Sequence, residues 1–338
     1  MKITEIAKEA GVSIGTVDRV LHNRGRVSDK TREKIEKIIK ENNYRPNQMA
    51  RNLKIGKKLS IGILIPSLDS EGGYWKAIMD GMEAALEELQ SFSVSSTVME
   101  FSRNLKNDMI EKGRALIAEG VDVIALPPVV QEESYQLIKY MENLPYAFFD
   151  SPLANTFPIT ENLQDPYKAG TCGARLMELF QPVDGRFICL QMHDTAYNLQ
   201  CRAQGFIDYF KDKDVSVLNV RWNGDYKEKF YLFLDKLFYK HPATNGLFVT
   251  NDITGIVSKH LSETLKTDMP IIIGFDLVNI NPDELEKGNI SALISQQPRM
   301  QGYNTINEIF RILMMDQKNT IPTSKIPIEI ILKENLNN

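Results

Sequence analysis

From Leu59 onward the chain alternates between short apolar runs and amphipathic helical stretches. Continuous apolar strands between such helices are typical of buried parallel strands in α/β units. The pattern predicts strands within LSIGILIP, FSVSSTVMEF, VDVIALPP, YAFFDS, RFICLQM, VSVLNVRW, GLFVTN, PIIIGFD and ISALISQ. It predicts helices in most of the intervals, including YWKAIMDGMEAALEELQ, MIEKGRALIAEG and TGIVSKHLSETLK. This part of the chain is therefore expected to be an α/β fold with parallel sheets in two units.

The composition excludes several classes of protein. The 338 residues allow about two or three domains, and 43% hydrophobic with 25% charged residues is an ordinary globular composition. No apolar run approaches the roughly 20 residues that span a bilayer, and the N-terminal MKITEIAKEAG lacks the apolar segment of an export signal. Cys172, Cys189 and Cys201 have no metal-ligand spacing and are expected to be buried reduced thiols. We predict a cytoplasmic protein without a membrane partner.

Charge is distributed unevenly along the chain. Through Lys58 there are 15 Lys and Arg against 7 Asp and Glu, and the rest of the chain carries 25 against 37. A small basic head on an acidic body indicates that the head contacts a polyanion. On charge alone, chance clustering of solvated charges explains the imbalance equally well.

The N-terminal segment has the pattern of three short helices. The first has apolar residues at helical spacing, namely Ile3, Ile6, Ala7 and Ala10. Gly11 ends it in a turn, Ser13 is a natural N-cap for the second helix, and Ser28 caps a third. Two helices joined by a tight turn predict a helix-turn-helix, whose second helix fits the major groove of DNA.

The segment YRPNQMARNLKIGKK follows the third predicted helix. Pro46 stops that helix, and NQMARNLK makes only about two turns, too few to be stable alone. Such a basic helix is able to fold on DNA with Leu53 as an apolar wedge in the minor groove. In isolation, the segment reads equally well as a plain linker.

Polar and aromatic side chains follow the predicted strands. These residues are Tyr74, Trp75, Asp150, Arg202, Trp222, Tyr226, Asn251, Asp252, Asp276 and Gln296. Open α/β sheets bind ligands beyond the carboxyl ends of their strands. Aromatic faces stack on sugar rings, and carboxylates, amides and guanidinium groups pair with hydroxyls, so a small polyhydroxylated ligand suits this mixture. Taken singly, each residue also has a structural explanation, such as turn capping by Asp150 and Asp276.

An enzyme is not predicted. The sequence contains no G-x-G-x-x-G, P-loop, G-x-S-x-G or H-E-x-x-H motif. The four histidines fall in separate elements without metal spacing, and only His193 lies near the predicted cleft. We therefore expect no catalytic residues, no metal and no cofactor.

Five motifs of the N-terminal segment together closely resemble the DNA-binding head and hinge of the lactose-repressor (LacI/GalR) family. They are I-A-x-x-A-G-V-S, T-V-x-R-V-L, V-S-x-x-T-R, Y-x-P-N and A-R-x-L, in family order and spacing. The resemblance implies a helix-turn-helix domain over 1–45 and a hinge helix with linker over 46–58. It implies base contacts by Ile14, Gly15 and Arg19. It places Ser13, Thr16, His22, Ser28, Thr31 and Asn47 at phosphates, with Ala50 and Leu53 in the hinge.

Two residues depart from the family pattern in the second helix. Gly15 supplies no side chain for base readout and costs about 1 kcal/mol in a helix interior. Asp18 stands where the family has serine, and a carboxylate beside phosphates is repulsive unless it accepts from a cytosine amino group or pairs with a cation. The operator sequence does not follow from this head.

From Leu59 to Leu332 the body resembles the type I periplasmic sugar-binding fold, nearest to its ribose-binding branch. The motifs are N-D, G-F-D, A-x-I-x-Q-x-P, and R-x-x-G-F from Arg202 to Phe206. The resemblance implies an effector-binding domain over 59–335, with one lobe at about 59–162 and 293–322 and the other at about 163–292 and 323–335. It implies sugar contacts by Tyr74, Trp75, Asp150, Arg202, Tyr226, Asn251, Asp276 and Gln296. Gly72 and Ser151 replace a ligand-binding asparagine and an arginine, which argues against ribose itself.

These features together predict a sequence-specific DNA-binding transcriptional regulator that represses carbohydrate-utilisation genes. The expected partners are a palindromic double-stranded operator, a second copy of the chain in a homodimer, and a small sugar-like effector between the lobes. One alternative is an activator or corepressor-dependent regulator that responds to a nucleoside or sugar acid. A secreted sugar-binding protein is a further alternative, although it needs an export signal and has no use for a DNA-binding head.

Overall fold

The computed structural model describes residues 3–21, 27–42, 58–69, 73–181, 185–192, 196–223, 228–265, 269–315, 317 and 324–336. The chain divides into two units, Met1–Lys57 and Lys58–Asn338. Several predictions fall outside the described residues: the hinge helix, His22, Asn47, Ala50, Leu53, Gly72, His193 and Tyr226. The side chain of Asp18 is likewise outside the description.

The first unit contains the three predicted helices, α1 (Ile3–Ala10), α2 (Ile14–Leu21) and α3 (Asp29–Glu41). Their shared core consists of Ile6, Ala7, Ala10, Val17, Val20, Ile35 and Ile38. Gly11 has a φ of 70° at the end of α1, a left-handed conformation that glycine adopts without strain. The Ser13 and Ser28 hydroxyls accept from the backbone amides of Thr16 at 3.2 Å and Thr31 at 3.3 Å, which confirms both predicted N-caps.

The second unit alternates strands and helices. Its strands are β1 (Leu59–Pro66), β2 (Val94–Phe101), β3 (Val123–Leu126), β4 (Tyr146–Phe149), β5 (Glu161–Leu163), β6 (Arg186–Met192), β7 (Ser216–Trp222), β8 (Gly246–Val249), β9 (Ile271–Phe275), β10 (Ala292–Ser295), β11 (Ser324–Lys325) and β12 (Glu329–Ile331). Its helices are α4 (Tyr74–Glu88), α5 (Asp108–Ala118), α6 (Gln131–Met141), α7 (Pro166–Phe180), α8 (Tyr197–Tyr209), α9 (Glu228–Lys240), α10 (Thr254–Thr264), α11 (Asn281–Glu286) and α12 (Pro298–Met314). Short 3₁₀ turns occupy Gln90–Phe92 and Lys333–Asn335. All nine predicted runs contain a strand, which confirms the α/β fold class.

The strands form two six-stranded sheets, and each sheet defines one lobe. The orders are β11-β5-β4-β3-β1-β2 and β12-β10-β9-β8-β6-β7, so both lobes follow the same plan. Every described pairing is parallel except β10 with β12. The predicted lobe boundaries divide β10 at residue 293 and assign β11 to the second lobe. In the structure, β10 lies wholly in the second sheet and β11 lies in the first. Both differences arise because the chain crosses between lobes after β10 and after β11, a few residues later than the motifs suggest.

Three crossovers join the lobes. The chain leaves the first sheet after β5 and enters α7, returns after β10 through α12, and crosses again between β11 and β12. Helix α12 packs against α4, β1 and β4 of the first lobe. Among the described residues, no helix combines the length and apolar character that a bilayer span requires.

Glycines allow two pairs of helices to cross closely, α4 with α12 and α7 with α8. A Cβ atom at Gly81 would lie 1.9 Å from the Arg299 carbonyl oxygen, and one at Gly302 would lie 2.0 Å from the Ile78 carbonyl oxygen. At the second crossing, a Cβ at Gly170 would lie 2.1 Å from the Arg202 carbonyl oxygen. Because α4 begins at Tyr74 and α8 carries Arg202, these close crossings place the predicted site residues.

The three cysteines are unpaired, as predicted, but only Cys189 is buried. Cys172 and Cys201 are half-buried on the neighbouring helices α7 and α8. The prediction of three buried thiols was therefore wrong for these two, since helical periodicity leaves them at the edge of the core face.

Candidate functional site

The exposed face of α2 presents three side chains of different chemistry. Val17 and Val20 are buried, whereas Ile14, Gly15 and Arg19 are exposed, with 49% of Ile14 accessible. An apolar side chain, a bare backbone and a guanidinium group therefore lie on one surface. Such a surface is able to contact a thymine methyl group and a guanine edge in a major groove.

Hydroxyl pairs lie at the starts of α2 and α3. The Ser13 and Thr16 hydroxyl oxygens are 2.9 Å apart, and those of Ser28 and Thr31 are 2.7 Å apart. These hydroxyls cap the helices and are thereby held at the positive ends of the two helix dipoles, where anions such as phosphates are favoured.

A polar cleft lies between the lobes at the carboxyl ends of the strands. It is lined by Tyr74, Trp75, Arg103, Val129, Asp150, Ser151, Ala196, Tyr197, Asn198, Leu199, Arg202, Asn251, Asp252, Asp276 and Gln296. The structure thus brings together all seven described residues for which the family resemblance implies sugar contacts. The cavity measures about 50 Å³.

Asp150 forms the centre of the first lobe's half of the cleft. It follows β4 with a φ of 64°, and its carboxylate accepts from the Tyr74 hydroxyl at 2.8 Å and the Ser151 hydroxyl at 2.6 Å. Burial raises the pKa of Asp150, although these two hydrogen bonds oppose the rise. The left-handed backbone turns the carboxylate into the cleft instead of along the strand.

Asn198 of the second lobe contacts Asp150 directly. Its side-chain amide donates to the Asp150 carbonyl oxygen at 2.8 Å and to Oδ2 at 3.2 Å. Asn198 was not among the predicted site residues. Asn198 lies four positions before Arg202, one helical turn away on the same face of α8, and that spacing is the signal that identifies it.

Asp276 forms the centre of the second lobe's half. It follows β9 with a φ of 62°, and its two carboxylate oxygens accept from the Gln296 backbone amide at 2.8 Å and side-chain amide at 2.6 Å. Burial raises the pKa of Asp276 to about 6, although the positive charge of Arg202 opposes the rise. Gln296 follows β10, so neighbouring strand ends supply both groups.

Arg202 is buried between these elements, with 2% of its surface exposed. Its guanidinium group donates to the Thr250 carbonyl oxygen at 2.8 Å and lies 3.9 Å from the centroid of the Phe275 ring. Burial lowers the pKa of Arg202, while the charge of Asp276 opposes the fall. The stacked, hydrogen-bonded group is held in one orientation toward the cleft.

Several buried polar atoms around the cleft have no hydrogen-bond partner within the described residues. They are Asn198 Oδ1, Arg202 Nε and Asn251 Oδ1. Because the large majority of buried side-chain polar atoms in proteins are paired, this mixture of donors and acceptors suits a ligand with hydroxyl groups. Among the described residues, no cluster of His, Cys, Asp or Glu suits a metal ion.

Two further amides support the left-handed aspartates. Asn281 donates through Nδ2 to the carbonyl oxygens of Asp252, Phe275 and Asp276, each at 2.9 Å. Gln301 accepts from the Asp150 backbone amide at 2.9 Å through Oε1 and donates to the Gln296 carbonyl oxygen at 3.0 Å. Each amide lies on a helix and bonds to strand ends far away in sequence, which explains why local patterns did not identify it.

Trp222 does not line the cleft. Its ring lies 5.5 Å from the Phe230 ring and 4.8 Å from the Phe233 ring, between centroids. The interpretation of Trp222 as a strand-end ligand residue was therefore wrong, because its side chain packs against α9.

The titration of Asp276 leads to a prediction about stability. A carboxyl group whose pKa is raised on folding adds to the free energy of unfolding while it is protonated. This stabilisation is fully present below the unfolded pKa of about 4 and is lost as the pH rises through the folded pKa of about 6. Asp276→Asn keeps both hydrogen bonds to Gln296 if the side-chain amide of Gln296 flips, so that its oxygen accepts from the new asparagine. We expect the free energy of unfolding of the native chain to fall relative to that of Asp276→Asn between pH 4 and 7, by at most ~3 kcal/mol. Denaturant titrations at several pH values measure this difference.

The exposed Asp283→Asn of α11 is the matched control for the loss of an aspartate. Stability curves for Asp276→Asn and the native chain that stay parallel across this pH range would contradict the raised pKa.

Comparisons with known proteins agree with this architecture. The family of periplasmic binding protein domains matches residues 61–317, and the lacI family of bacterial regulatory proteins matches residues 2–47. The chain belongs to the family of periplasmic binding protein domains, which accounts for its body. Its N-terminal head is a lacI-family DNA-binding domain. The predicted resemblance and the predicted DNA-binding transcriptional regulator, as opposed to an enzyme, are thereby confirmed.

Three similar proteins illustrate the range of lacI-family and related folds. The sucrose operon repressor of Streptococcus mutans is 24% identical over 81% of this chain and 82% of its own length. The lac repressor dimer bound to operator and an anti-inducer is 19% identical with a TM-score of 0.66, covering 98% of this chain and 97% of that one. GanP, a glucose-galactose binding protein of Geobacillus stearothermophilus, is 20% identical with a TM-score of 0.74, covering 83% of this chain and 100% of that one.

Proposed function

We propose that this chain is a cytoplasmic repressor of carbohydrate-utilisation genes, which binds a palindromic operator as a homodimer and is controlled by a small uncharged sugar or polyol in the cleft. One observation carries the effector assignment: buried, oriented polar groups from both lobes converge on a single small cavity. The operator-bound lac repressor dimer and the sucrose operon repressor support DNA binding and carbohydrate control. The fold shared with GanP supports a sugar as ligand.

The charge of the cleft narrows the ligand class. Three carboxylates (Asp150, Asp252 and Asp276) and two guanidinium groups (Arg103 and Arg202) line it. An anionic ligand such as a sugar phosphate adds to this excess of negative charge, whereas a neutral hydroxylated ligand pairs with donors and acceptors alike. The small cavity favours a single sugar ring or short polyol over a disaccharide.

A thermal-shift screen of the full chain against pentoses, hexoses, polyols, sugar acids, sugar phosphates and nucleosides tests this assignment. A ligand at about 100 times its dissociation constant stabilises the unit that binds it by roughly 2.7 kcal/mol. We expect a neutral monosaccharide or polyol to raise the unfolding temperature. A response confined to sugar acids, sugar phosphates or nucleosides would replace the proposed effector class.

The exposed guanidinium of α2 leads to a prediction about DNA recognition. Arg19→Ala is expected to lower the affinity for the selected operator by about 5- to 150-fold and to relax sequence preference, because a bidentate contact to a base edge is worth ~1–3 kcal/mol. Fluorescence anisotropy with operator and scrambled DNA measures both quantities.

Lys37→Ala, at an exposed position of α3, is the control for the loss of one positive charge. Equal losses on operator and scrambled DNA in Arg19→Ala would show that Arg19 contacts the phosphate backbone and not a base.

A further inference from the structure

One buried side chain touches all three crossovers between the lobes. Gln164 lies in the first crossover, between β5 and α7, with 5% of its surface exposed. Its Nε2 donates to the Ser295 carbonyl oxygen at 2.9 Å, where β10 enters the second crossover. The same nitrogen donates at 3.0 Å to the carbonyl oxygen of Pro327, in the third crossover. One amide group therefore donates to two segments that belong to different crossovers.

Neighbouring bonds connect these crossovers to the ligand residues. The Ile326 amide of the third crossover donates to the carbonyl oxygen of Leu163, the last residue of β5, at 2.9 Å. In the second crossover, Ser295 Oγ accepts from the Gln297 amide at 2.9 Å. Gln296, between those two residues, holds the carboxylate of Asp276. A shift of the Ser295 backbone thus moves a residue that lines the cleft.

Glu308 of α12 anchors the first crossover on the other side. Its Oε2 accepts from the Asn162 side-chain amide at 2.8 Å and from the Thr160 hydroxyl. Because Glu308 is itself 5% exposed, β5 is fastened to the first lobe by buried bonds. Rotation between the lobes is therefore confined to the backbone from Gln164 onward and to the facing segments of the other two crossovers.

Rotation of one lobe against the other requires backbone dihedral changes in these connecting segments. Any change that separates the Ser295 or Pro327 carbonyl from Gln164 leaves a buried donor without its acceptor, which is unfavourable. Gln164 Oε1 is buried and has no hydrogen-bond partner within the described residues. If the lobes rotate, this oxygen is able to accept a hydrogen bond from an N–H group of the rearranged crossovers.

We propose that Gln164 is the hinge-positioning residue of this protein. Its hydrogen bonds hold the three crossovers together and stabilise the lobe arrangement seen here relative to an arrangement with the lobes opened. Through Ser295 and Gln296 it acts on the cleft without contacting the ligand. The inference extends the proposed function, in which lobe movement is the signal, but its test requires neither ligand nor DNA.

The test is hydrogen exchange of the full chain carrying Gln164→Met, a substitution that keeps an unbranched side chain and removes both donors. We expect the amides of Gln297 and Ile326, in two different crossovers, to exchange about 5- to 30-fold faster, the effect of losing one or two buried hydrogen bonds. Amides in the centres of β1 and β6 are expected to exchange at the native rate.

Gln204→Met is the matched control. Gln204 is exposed on α8, and its side-chain amide donates to the Asp208 carboxylate at 2.7 Å. If Gln164→Met does not fold, Gln164→Glu keeps the shape, removes both donors when ionised, and is expected to show the same pattern.

Faster exchange confined to the first crossover, or native rates in all three, would overturn the inference. The result is separable from the proposed function. If a sugar binds but Gln164→Met leaves amide exchange in the crossovers unchanged, only the hinge role is refuted. If Gln164→Met speeds exchange in the crossovers but no sugar raises the unfolding temperature, only the effector assignment is refuted.

Discussion

Replacing Arg202 with methionine is expected to lower the affinity for the effector sugar by at least about 100-fold and to destabilise the second unit by ~3–5 kcal/mol. Arg202 and Asp276 are both buried, and the positive charge of Arg202 restrains the rise of the Asp276 pKa. Removal of one of two buried opposite charges leaves the other uncompensated, which lowers the stability of the fold. Denaturant unfolding measures the stability, and calorimetric titration with the sugar found by thermal shift measures the affinity.

Two further variants separate charge from geometry. Arg202→Lys keeps the charge but loses the planar fork that donates to Thr250 and stacks on Phe275. It is expected to recover part of the stability and little of the binding. Arg175→Met removes an exposed arginine of α7 that pairs with Glu178, and little change is expected. Native sugar affinity in Arg202→Met would contradict the assignment of the cleft.

Gly302→Ala is expected to destabilise the second unit by ~1–3 kcal/mol, the usual cost of an added methyl group in a packed interior. The new Cβ would lie 2.0 Å from the Ile78 carbonyl oxygen and 3.0 Å from the Met82 amide nitrogen. Both are backbone atoms of α4, so no side-chain rotation relieves the overlap. The helices must separate, and α4 begins with Tyr74 and Trp75 at the cleft. Thermal and denaturant unfolding measure the loss, and a weaker sugar affinity is expected alongside it.

Gly15→Ala is the matched control within a helix. A Cβ there would meet only Ser13 Oγ, at 3.7 Å. Alanine is favoured over glycine in helices by up to ~1 kcal/mol, so this variant is expected to stabilise the first unit slightly and to leave the second unchanged. Unfolding of Gly302→Ala at the native temperature would show that α4 and α12 tolerate a wider crossing.

The strands that sequence patterns identified are those long enough to show an apolar run. β1 and β6 are buried almost throughout and stand out as LSIGILIP and RFICLQM. β5, β11 and β12 were missed, since strands of two or three residues show no periodicity. They form because the crossovers bring them beside sheets already built by longer strands, a tertiary effect that no local window contains.

The residues of the candidate site likewise fall into a group that the sequence patterns identified and a group that they did not. Asp150, Asp276 and Gln296 were predictable because polar residues directly after buried parallel strands meet at one edge of a sheet. Asn281, Gln301 and Gln164 were not, because helices and crossovers bring their amides to backbone atoms distant in sequence. The two left-handed aspartates are each supported by such an amide, Gln301 for Asp150 and Asn281 for Asp276. The residues expected to contact the ligand are thus predictable from their positions at strand ends. The residues that orient them are identified only from the packed structure.

Coupling between the cleft and the DNA-binding head is the central claim, and one binding measurement tests it directly. An operator is first selected from random-sequence DNA by the full chain, and its affinity is then measured by fluorescence anisotropy with and without the sugar identified by thermal shift. We expect the sugar to change the operator dissociation constant of the native chain by about 5- to 150-fold, the usual range of allosteric coupling. Arg202→Met is expected to bind the operator and to ignore the sugar. Equal operator affinity of the native chain with and without bound sugar would contradict the account.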